Sequence, residues 1–345
     1  MNSPIWIVPK KPGPDGAPKR RVVIDFRELN KKTVSEAYPL PNIADIMDQL
    51  GGAAYFSTLD LASRFHQIPM KEKDKWKTAF STPKCHFQYR RMPMGSPGSR
   101  ASDALTASQM GFKNAPATFQ RFMDQVLRGL QNVEMLVYLD DIIVYAKDLR
   151  EHDSKVRRLF DRLREARLIL EPEKVHFLRK EVGFLGHIVS QRGVEMDSKK
   201  IEVMTNFPQP KTVRNVRQFL SMAGYYRRFI QGFSKIAKPL HDMTKKGVKF
   251  EWTPKQETSF QTLKTCLTTA PILIFLDFSK PFTLTTDSSD LAIGAVLSQE
   301  RNGFDHPIGY LSRVLKKAEV NYSTTEKECL AALYAMYHNR PYLLG

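Results

Sequence analysis

Met135-Leu136-Val137-Tyr138-Leu139-Asp140-Asp141-Ile142-Ile143-Val144-Tyr145-Ala146 is the stretch whose reading decides the fold. Two apolar, β-branched and aromatic runs flank a pair of aspartates. This predicts a tight β-hairpin with Asp-Asp at its turn, where Asp tolerates unusual backbone angles. The flanks do not alternate with polar residues, so both faces of the hairpin are expected to be covered. Adjacent carboxylates in such a setting repel each other and lose solvation. They either take up protons or receive a cation. A solvent-exposed Asp-Asp turn without chemistry would give the same local pattern, so the upstream sequence has to decide.

Upstream, Tyr55-Phe56-Ser57-Thr58-Leu59-Asp60 reads as a second strand ending in an aspartate, with Phe65 five residues on. A third carboxylate beside the hairpin pair would complete a site for two divalent cations, whose separation of about 3.5–4 Å suits phosphoryl transfer. An all-carboxylate site without His or Cys fits Mg²⁺, a hard cation. Between the two strands, residues 115–128 predict an amphipathic helix: Phe119, Phe122, Met123, Val126 and Leu127 recur at helical spacing. Asn114 is its expected N-cap, Pro116 sits in its first turn and Gly129 ends it. Its expected role is structural, behind the hairpin.

At 345 residues the chain is long enough for two or more cores, and 42% hydrophobic with 26% charged residues describes a globular protein. A formal net charge of +17 points to a polyanionic partner, most simply nucleic acid. Cys85, Cys266 and Cys329 offer neither a disulfide framework nor a CxxC zinc site, which suits a reducing, intracellular setting. No run has the length of a membrane span, and no signal peptide opens the chain, so no membrane partner is expected. Met1 leads at once into a strand, as in a fragment of a longer polyprotein.

Residues 5–8 and 21–26 predict two short strands around the turn-rich basic loop Lys10–Gly16, which could grip a triphosphate or be a solvated surface loop. Residues 199–249 hold twelve Lys or Arg against two acidic residues, Glu202 and Asp242. Their interleaving with Val213, Val216, Leu220, Tyr225, Tyr226, Phe229 and Ile230 predicts helices with a core face and a basic face, suited to a duplex backbone. Trp252–Ala270 reads as a polar helical connector. A strand ending at Asp287, strands over 293–297 and 308–311, and a helix from Ser323 follow. Ser323-Thr324-Thr325-Glu326 fits a capping box.

Ser3-Pro4-Ile5-Trp6, Val23-Ile24-Asp25-Phe26-Arg27-Glu28-Leu29-Asn30, Tyr38-Pro39-Leu40-Pro41, Leu59-Asp60-Leu61, Asn114-Ala115-Pro116-Ala117-Thr118-Phe119-Gln120, Tyr138-Leu139-Asp140-Asp141 and Phe184-Leu185-Gly186-His187 occur in this order. Nearly the whole chain resembles the reverse transcriptases of gypsy-type LTR retrotransposons, relatives of the retroviral enzymes. The resemblance implies an α+β right-hand fold: fingers and palm over 1–195, with a palm of antiparallel sheet, then a helical thumb over 196–246, a connector over 247–272 and an incomplete ribonuclease H-like α/β domain over 273–345. It implies an RNA- and DNA-directed DNA polymerase with Asp60, Asp140 and Asp141 as catalytic and metal-binding residues for two Mg²⁺, or Mn²⁺. Lys10, Lys11 and Arg21 would meet the triphosphate, Phe65 would exclude a 2′-hydroxyl, and Met94 would touch the incoming dNTP. Phe184, Leu185 and Gly186 would grip the primer end, and Arg227 and Arg228 would hold an RNA or DNA template–primer duplex. Asp287 and Glu328 would open the ribonuclease H site, with Glu326 left to capping. The family's remaining acids would lie past Gly345, so ribonuclease H activity is not expected. The family also implies a cytoplasmic location in retrotransposon particles with access to the nucleus. Nothing here predicts an oligomeric state.

Two departures stand out. Arg64 occupies a position where the family carries a small residue. Residues 96–111, rich in Ser, Ala and Gly, interrupt the family pattern and read as a flexible insertion. Both keep open a second reading, an inactive or domesticated copy that binds nucleic acid without catalysis.

Overall fold

The computed structural model describes residues 2–10, 19–94 and 110–344. The chain forms two compact units, residues 1–46 with 54–179 and residues 47–53 with 180–345.

In the first unit, β1 (Ile5–Lys10) pairs with β2 (Lys19–Ile24) as an antiparallel ribbon. Two short helices follow, α1 (Arg27–Lys32) and α2 (Ile43–Asp48), the last two residues of which belong to the second unit. Then come β3 (Tyr55–Asp60), the two-residue strands β4 (Phe80–Ser81) and β5 (His86–Phe87), α3 (Ala115–Val126), β6 (Met135–Tyr138), β7 (Asp141–Ala146), α4 (Leu149–Glu165) and β8 (His176–Arg179). Four strands make one antiparallel sheet in the order β6-β7-β3-β8. Met135, Val137, Ile142 and Val144 share a core with Phe119 and Met123 of α3, with Leu127 at its C-cap, and with Leu159 and Leu163 of α4. Leu136 and Ile143, which alternate with them, are also fully buried. Unbroken apolar strands thus mark a sheet covered on both sides. Asp148 caps α4, accepting from the amides of Arg150 and Glu151.

Two local expectations change. Asn114 stands at the N-cap of α3 but makes no capping bond. Its side chain accepts from Glu36 N and donates to Val34 O, tying the 34–36 segment to the helix start. Of the expected insertion, residues 96–109 lie outside the described residues. Met110 and Gly111 are turn and bend residues, but packed ones: both are buried, Met110 O accepts from Phe26 N at 2.9 Å, and Gly111 O accepts from Asn30 Nδ2 at 2.7 Å. The carbonyl of Met94 accepts from Phe112 N at 2.9 Å, so the segment's two flanks meet.

In the second unit, β9 (Glu181–Phe184), β10 (His187–Ser190) and β11 (Gly193–Met196) form an antiparallel meander. Residues 180–195, expected with the palm, therefore fall in this unit. Gly193 has φ +143°, and a Cβ there would lie 2.2 Å from Leu273 O. The strand needs that closeness, because Val194 and Leu273 exchange backbone bonds of 2.8 and 3.0 Å. Helices α5 (Ser198–Thr205), α6 (Val213–Tyr225), α7 (Phe233–Met243) and α8 (Pro254–Thr268) follow. The segment read as a polar connector is a packed member of this bundle. Phe260, Leu263 and Leu267 of α8 are buried, and the Phe260 and Phe219 rings stand 4.6 Å apart. The unit ends with the antiparallel sheet β12 (Thr283–Ser288), β13 (Ala292–Arg301), β14 (Phe304–Val314), then α9 (Thr324–His338) and α10 (Arg340–Leu343).

The β9–β10 turn is built on Leu185 and Gly186, with φ +47° and +76°, as a two-residue type I′ turn requires. Its carbonyls are capped from α6: Tyr225 OH donates to Leu185 O at 2.7 Å and Tyr226 OH to Gly186 O at 2.8 Å. His187 packs among the rings of Tyr225, Tyr226 and Phe229. Burial pushes its imidazole down to about 4, against a bond to Leu185 O that opposes the shift. The unfolded chain takes up this proton near its ordinary value of 6.5, so the stabilisation is complete above that pH and lost as pH falls towards 4. Denaturant titrations across this window are expected to show a loss on the order of 3 kcal/mol, which His187→Gln should flatten.

Candidate active site

The register builds the site. Asp60, the last residue of β3, pairs directly with Asp141, the first of β7, so the two side chains leave one face of the sheet. Asp140 precedes Asp141 in the β6–β7 turn. Tyr138 pairs with Asp141, so the two-residue turn is Leu139-Asp140 and not Asp-Asp as expected. The residue forced to positive φ is Leu139, at +57°, not an aspartate. Strain of this kind costs on the order of 1–3 kcal/mol and persists only where neighbours impose it.

Gln120 of α3 is the neighbour that imposes it. It is fully buried, and its Oε1 accepts from Leu139 N at 2.7 Å while Nε2 donates to Asp124 Oδ1 at 2.9 Å. Sequence reasoning gave this helix no part in the site. The available signal was a lone amide on the buried face of the helix, one residue after Phe119 and three before Met123. Gln120→Leu should leave Leu139 N unpaired, costing about 1–3 kcal/mol of stability. It should also let the turn drift, lowering kcat roughly tenfold with KM little changed. Steady-state kinetics and a melting curve on one preparation check both.

One ligand atom each from Asp60, Asp140 and Asp141 can be chosen so that all lie within 4.8 Å of one another. Asp140 is 1% exposed. Its carboxyl is pushed up to about 6, first by burial and further by Asp141 and Asp60, while Arg64 opposes the shift. Arg64 Nε lies 2.5 Å from Asp140 Oδ2 as an ion pair. Yet among the described residues this buried oxygen has no hydrogen-bond partner, so the guanidinium supplies charge without an aligned N–H. Lys174 Nζ donates to Asp60 Oδ2 at 3.1 Å. A buried oxygen without a donor, in a set of hard carboxylate ligands, fits a divalent cation.

The other expected residues are dispersed. Phe65 is 4% exposed and meets Phe119 edge-on with ring centroids 5.5 Å apart, so most of its ring belongs to the core beneath the site. Met94 is exposed. Lys11 and the side chains of Lys10 and Arg21 lie outside the described residues; the backbone of Lys10 pairs with Lys19 and that of Arg21 with Val8. Phe184 and Leu185 are buried in the second unit.

Arg227 and Arg228 both make contacts within the protein, and Arg227 is also exposed. Arg227 Nη2 donates to Ser312 O at 2.6 Å. Arg228 Nε donates to Ile308 O at 3.2 Å and its Nη2 pairs with Asp48 Oδ1 at 2.5 Å. The cause is the sheet edge: among the described residues β14 has no strand beyond it, and these arginines bond its outward carbonyls. Lys199 and Lys200 on α5, Arg214 on α6 and Lys235 on α7 are exposed as well. In the last sheet, Asp287 on β12 is exposed, and its neighbour Ser288 donates to Glu328 Oε1 at 2.6 Å. Glu326 closes the capping box with Ser323.

An antiparallel sheet carrying three convergent aspartates at one end, ahead of a helical bundle, defines the class as a polymerase palm with its thumb. Comparison with known proteins gives the family. Residues 8–189 match the reverse transcriptase (RNA-dependent DNA polymerase) family, and residues 252–345 match the RNase H-like domain found in reverse transcriptase. The chain belongs to the reverse transcriptase family. It is 46% identical over its full length to the retrovirus-related Pol polyprotein from transposon 297 of Drosophila melanogaster and 38% identical to that from transposon gypsy. It spans 31% and 33% of those proteins, about a third of their length. Among solved structures it is similar to the foamy viral protease-reverse transcriptase in complex with double-stranded DNA (TM-score 0.83, 27% identity, all of this chain and 57% of that one). It is also similar to the same enzyme in complex with RNA/DNA hybrid (TM-score 0.78, 27% identity, all of this chain and 44% of that one).

Proposed function

We propose that the chain is the RNA- and DNA-directed DNA polymerase segment of an LTR-retrotransposon polyprotein, in which a primer 3′-hydroxyl attacks the α-phosphate of a dNTP and pyrophosphate leaves. The observation that carries this reading is the carboxylate triad, with the buried, donor-less Oδ2 of Asp140 at its centre. Two Mg²⁺ ions, or Mn²⁺ in their place, would supply Lewis-acid stabilisation of the attacking and leaving oxygens. Asp60, Asp140 and Asp141 hold that charge in place, and Gln120 fixes the turn so that little reorganisation is needed during reaction. Phe65, held against Phe119, sets the floor that excludes a ribose 2′-hydroxyl, while Lys10, Lys11 and Arg21 meet the triphosphate and Met94 touches the incoming nucleotide.

Exposed Lys199, Lys200, Arg214 and Lys235 supply phosphate contacts to the duplex, and the Leu185-Gly186 turn holds the primer strand. Solved relatives bound to double-stranded DNA and to RNA/DNA hybrid support a duplex ligand. Asp287 and Glu328 belong to a ribonuclease H-like centre. The cysteines, free among the described residues, suit a reducing cytoplasmic particle. Extension of a DNA primer on an RNA template, with dNTPs and Mg²⁺, tests the reading. The expected result is full-length complementary DNA; duplex binding without any extension would return the chain to a nucleic-acid-binding role.

A further inference from the structure

Arg64 lies in the single 3₁₀ turn Arg64–Gln67, just after Asp60. Its φ is +33° and that of Ser63 is +53°, two consecutive side-chain-bearing residues in a region such residues seldom enter. What this backbone achieves is the approach of a guanidinium to the buried aspartate, with Nε 2.5 Å from Oδ2. The contact lacks the two parallel N–H bonds through which arginine normally holds a carboxylate. It therefore neutralises Asp140 without saturating it. The second cation of the site, Lys174, differs in kind. Its side chain is 60% exposed, where solvent screening leaves an ion pair little weight. The Arg64 side chain is 36% exposed, so its head can leave for solvent while its partner, 1% exposed, cannot.

We propose that Arg64 is a built-in competitor for the divalent cation at Asp140: its guanidinium neutralises the buried carboxylate in the metal-free protein and withdraws when a metal takes Oδ2. This rests on the reading of the triad as a metal site. Two consequences follow from thermodynamic linkage. Metal binding must displace Arg64, so the apparent affinity is lower than the carboxylates alone would give. Removing Arg64 leaves a buried charge without a counter-ion, so the metal-free protein becomes less stable and metal restores it.

The test is a titration with Mn²⁺ alone, following free ion by electron paramagnetic resonance, on the full chain and its variants. Arg64→Gln is expected to bind Mn²⁺ about tenfold more tightly, and Lys174→Gln less than about threefold. Without metal, Arg64→Gln should melt below the parent chain, and saturating Mg²⁺ should abolish the difference. Arg64→Gly, suited to a left-handed backbone, repeats the measurement should the glutamine variant fail to fold. Unchanged or weaker Mn²⁺ affinity in the Arg64 variants overturns the proposal. Equal gains in the Arg64 and Lys174 variants also overturn it, because they would reflect only the general field of the site. Asp140→Asn separates the two levels: Mn²⁺ binding that survives it removes the triad as the metal site, whatever Arg64 does.

Discussion

Asp140→Asn is expected to lower primer extension by about 10³-fold or more while leaving duplex affinity within about twofold. The substitution keeps the shape of the side chain and removes one ligand charge from the most buried member of the triad, which is 1% exposed. A loss of that size corresponds to about 4 kcal/mol of transition-state stabilisation, which is within reach of a lost metal ligand. On the proposed reading, duplex binding relies on exposed lysines and arginines of the second unit and should not register the change. Single-turnover extension and a fluorescence-anisotropy titration on the same samples make the comparison. Extension at more than a tenth of the parent rate would mean that Asp140 does not carry the chemistry.

Phe65→Val should open the nucleotide site to ribonucleotides, lowering the preference for dNTP over rNTP by roughly 10–100-fold. On the proposed reading the discrimination is steric, so shortening the ring should remove a clash and leave the deoxynucleotide contacts in place. The same ring is 4% exposed and packs on Phe119, so the variant should also lose stability, by less than the ~3–5 kcal/mol typical of truncating a buried Phe to Ala. Competition between dCTP and CTP in primer extension, beside a melting curve, separates the two effects. A changed melting temperature with an unchanged nucleotide preference would make Phe65 a core residue only.

Much of the site was legible in the sequence because its signals are local. The uninterrupted apolar runs around Asp140 and Asp141 marked a doubly covered hairpin, and Tyr55–Asp60 read directly as the strand that delivers the third carboxylate. What the sequence left hidden depends on pairings between distant segments. Whether Leu139 or Asp140 opens the turn is set by a one-residue choice of register between Tyr138 and Asp141, and a hairpin sequence alone tolerates both. Gln120 looked like one more helix residue because its partner, the amide of Leu139, is unsatisfied only after that register is chosen. Arg227 and Arg228 read as a duplex-facing pair on charge alone. Both also hydrogen-bond carbonyls of an edge strand some eighty residues on, which no count of lysines and arginines can anticipate.

The central claim is that Asp60, Asp140 and Asp141 share one divalent-metal site. Iron(II)-directed cleavage tests it most directly: Fe²⁺ replaces Mg²⁺, ascorbate and peroxide generate hydroxyl radicals at the bound ion, and the backbone breaks beside the metal. Cuts are expected to cluster near Asp60 and near Asp140–Asp141, suppressed by excess Mg²⁺ and absent from Asp140→Asn. Cleavage confined to other segments, or cuts at these positions that persist in that variant, would contradict it.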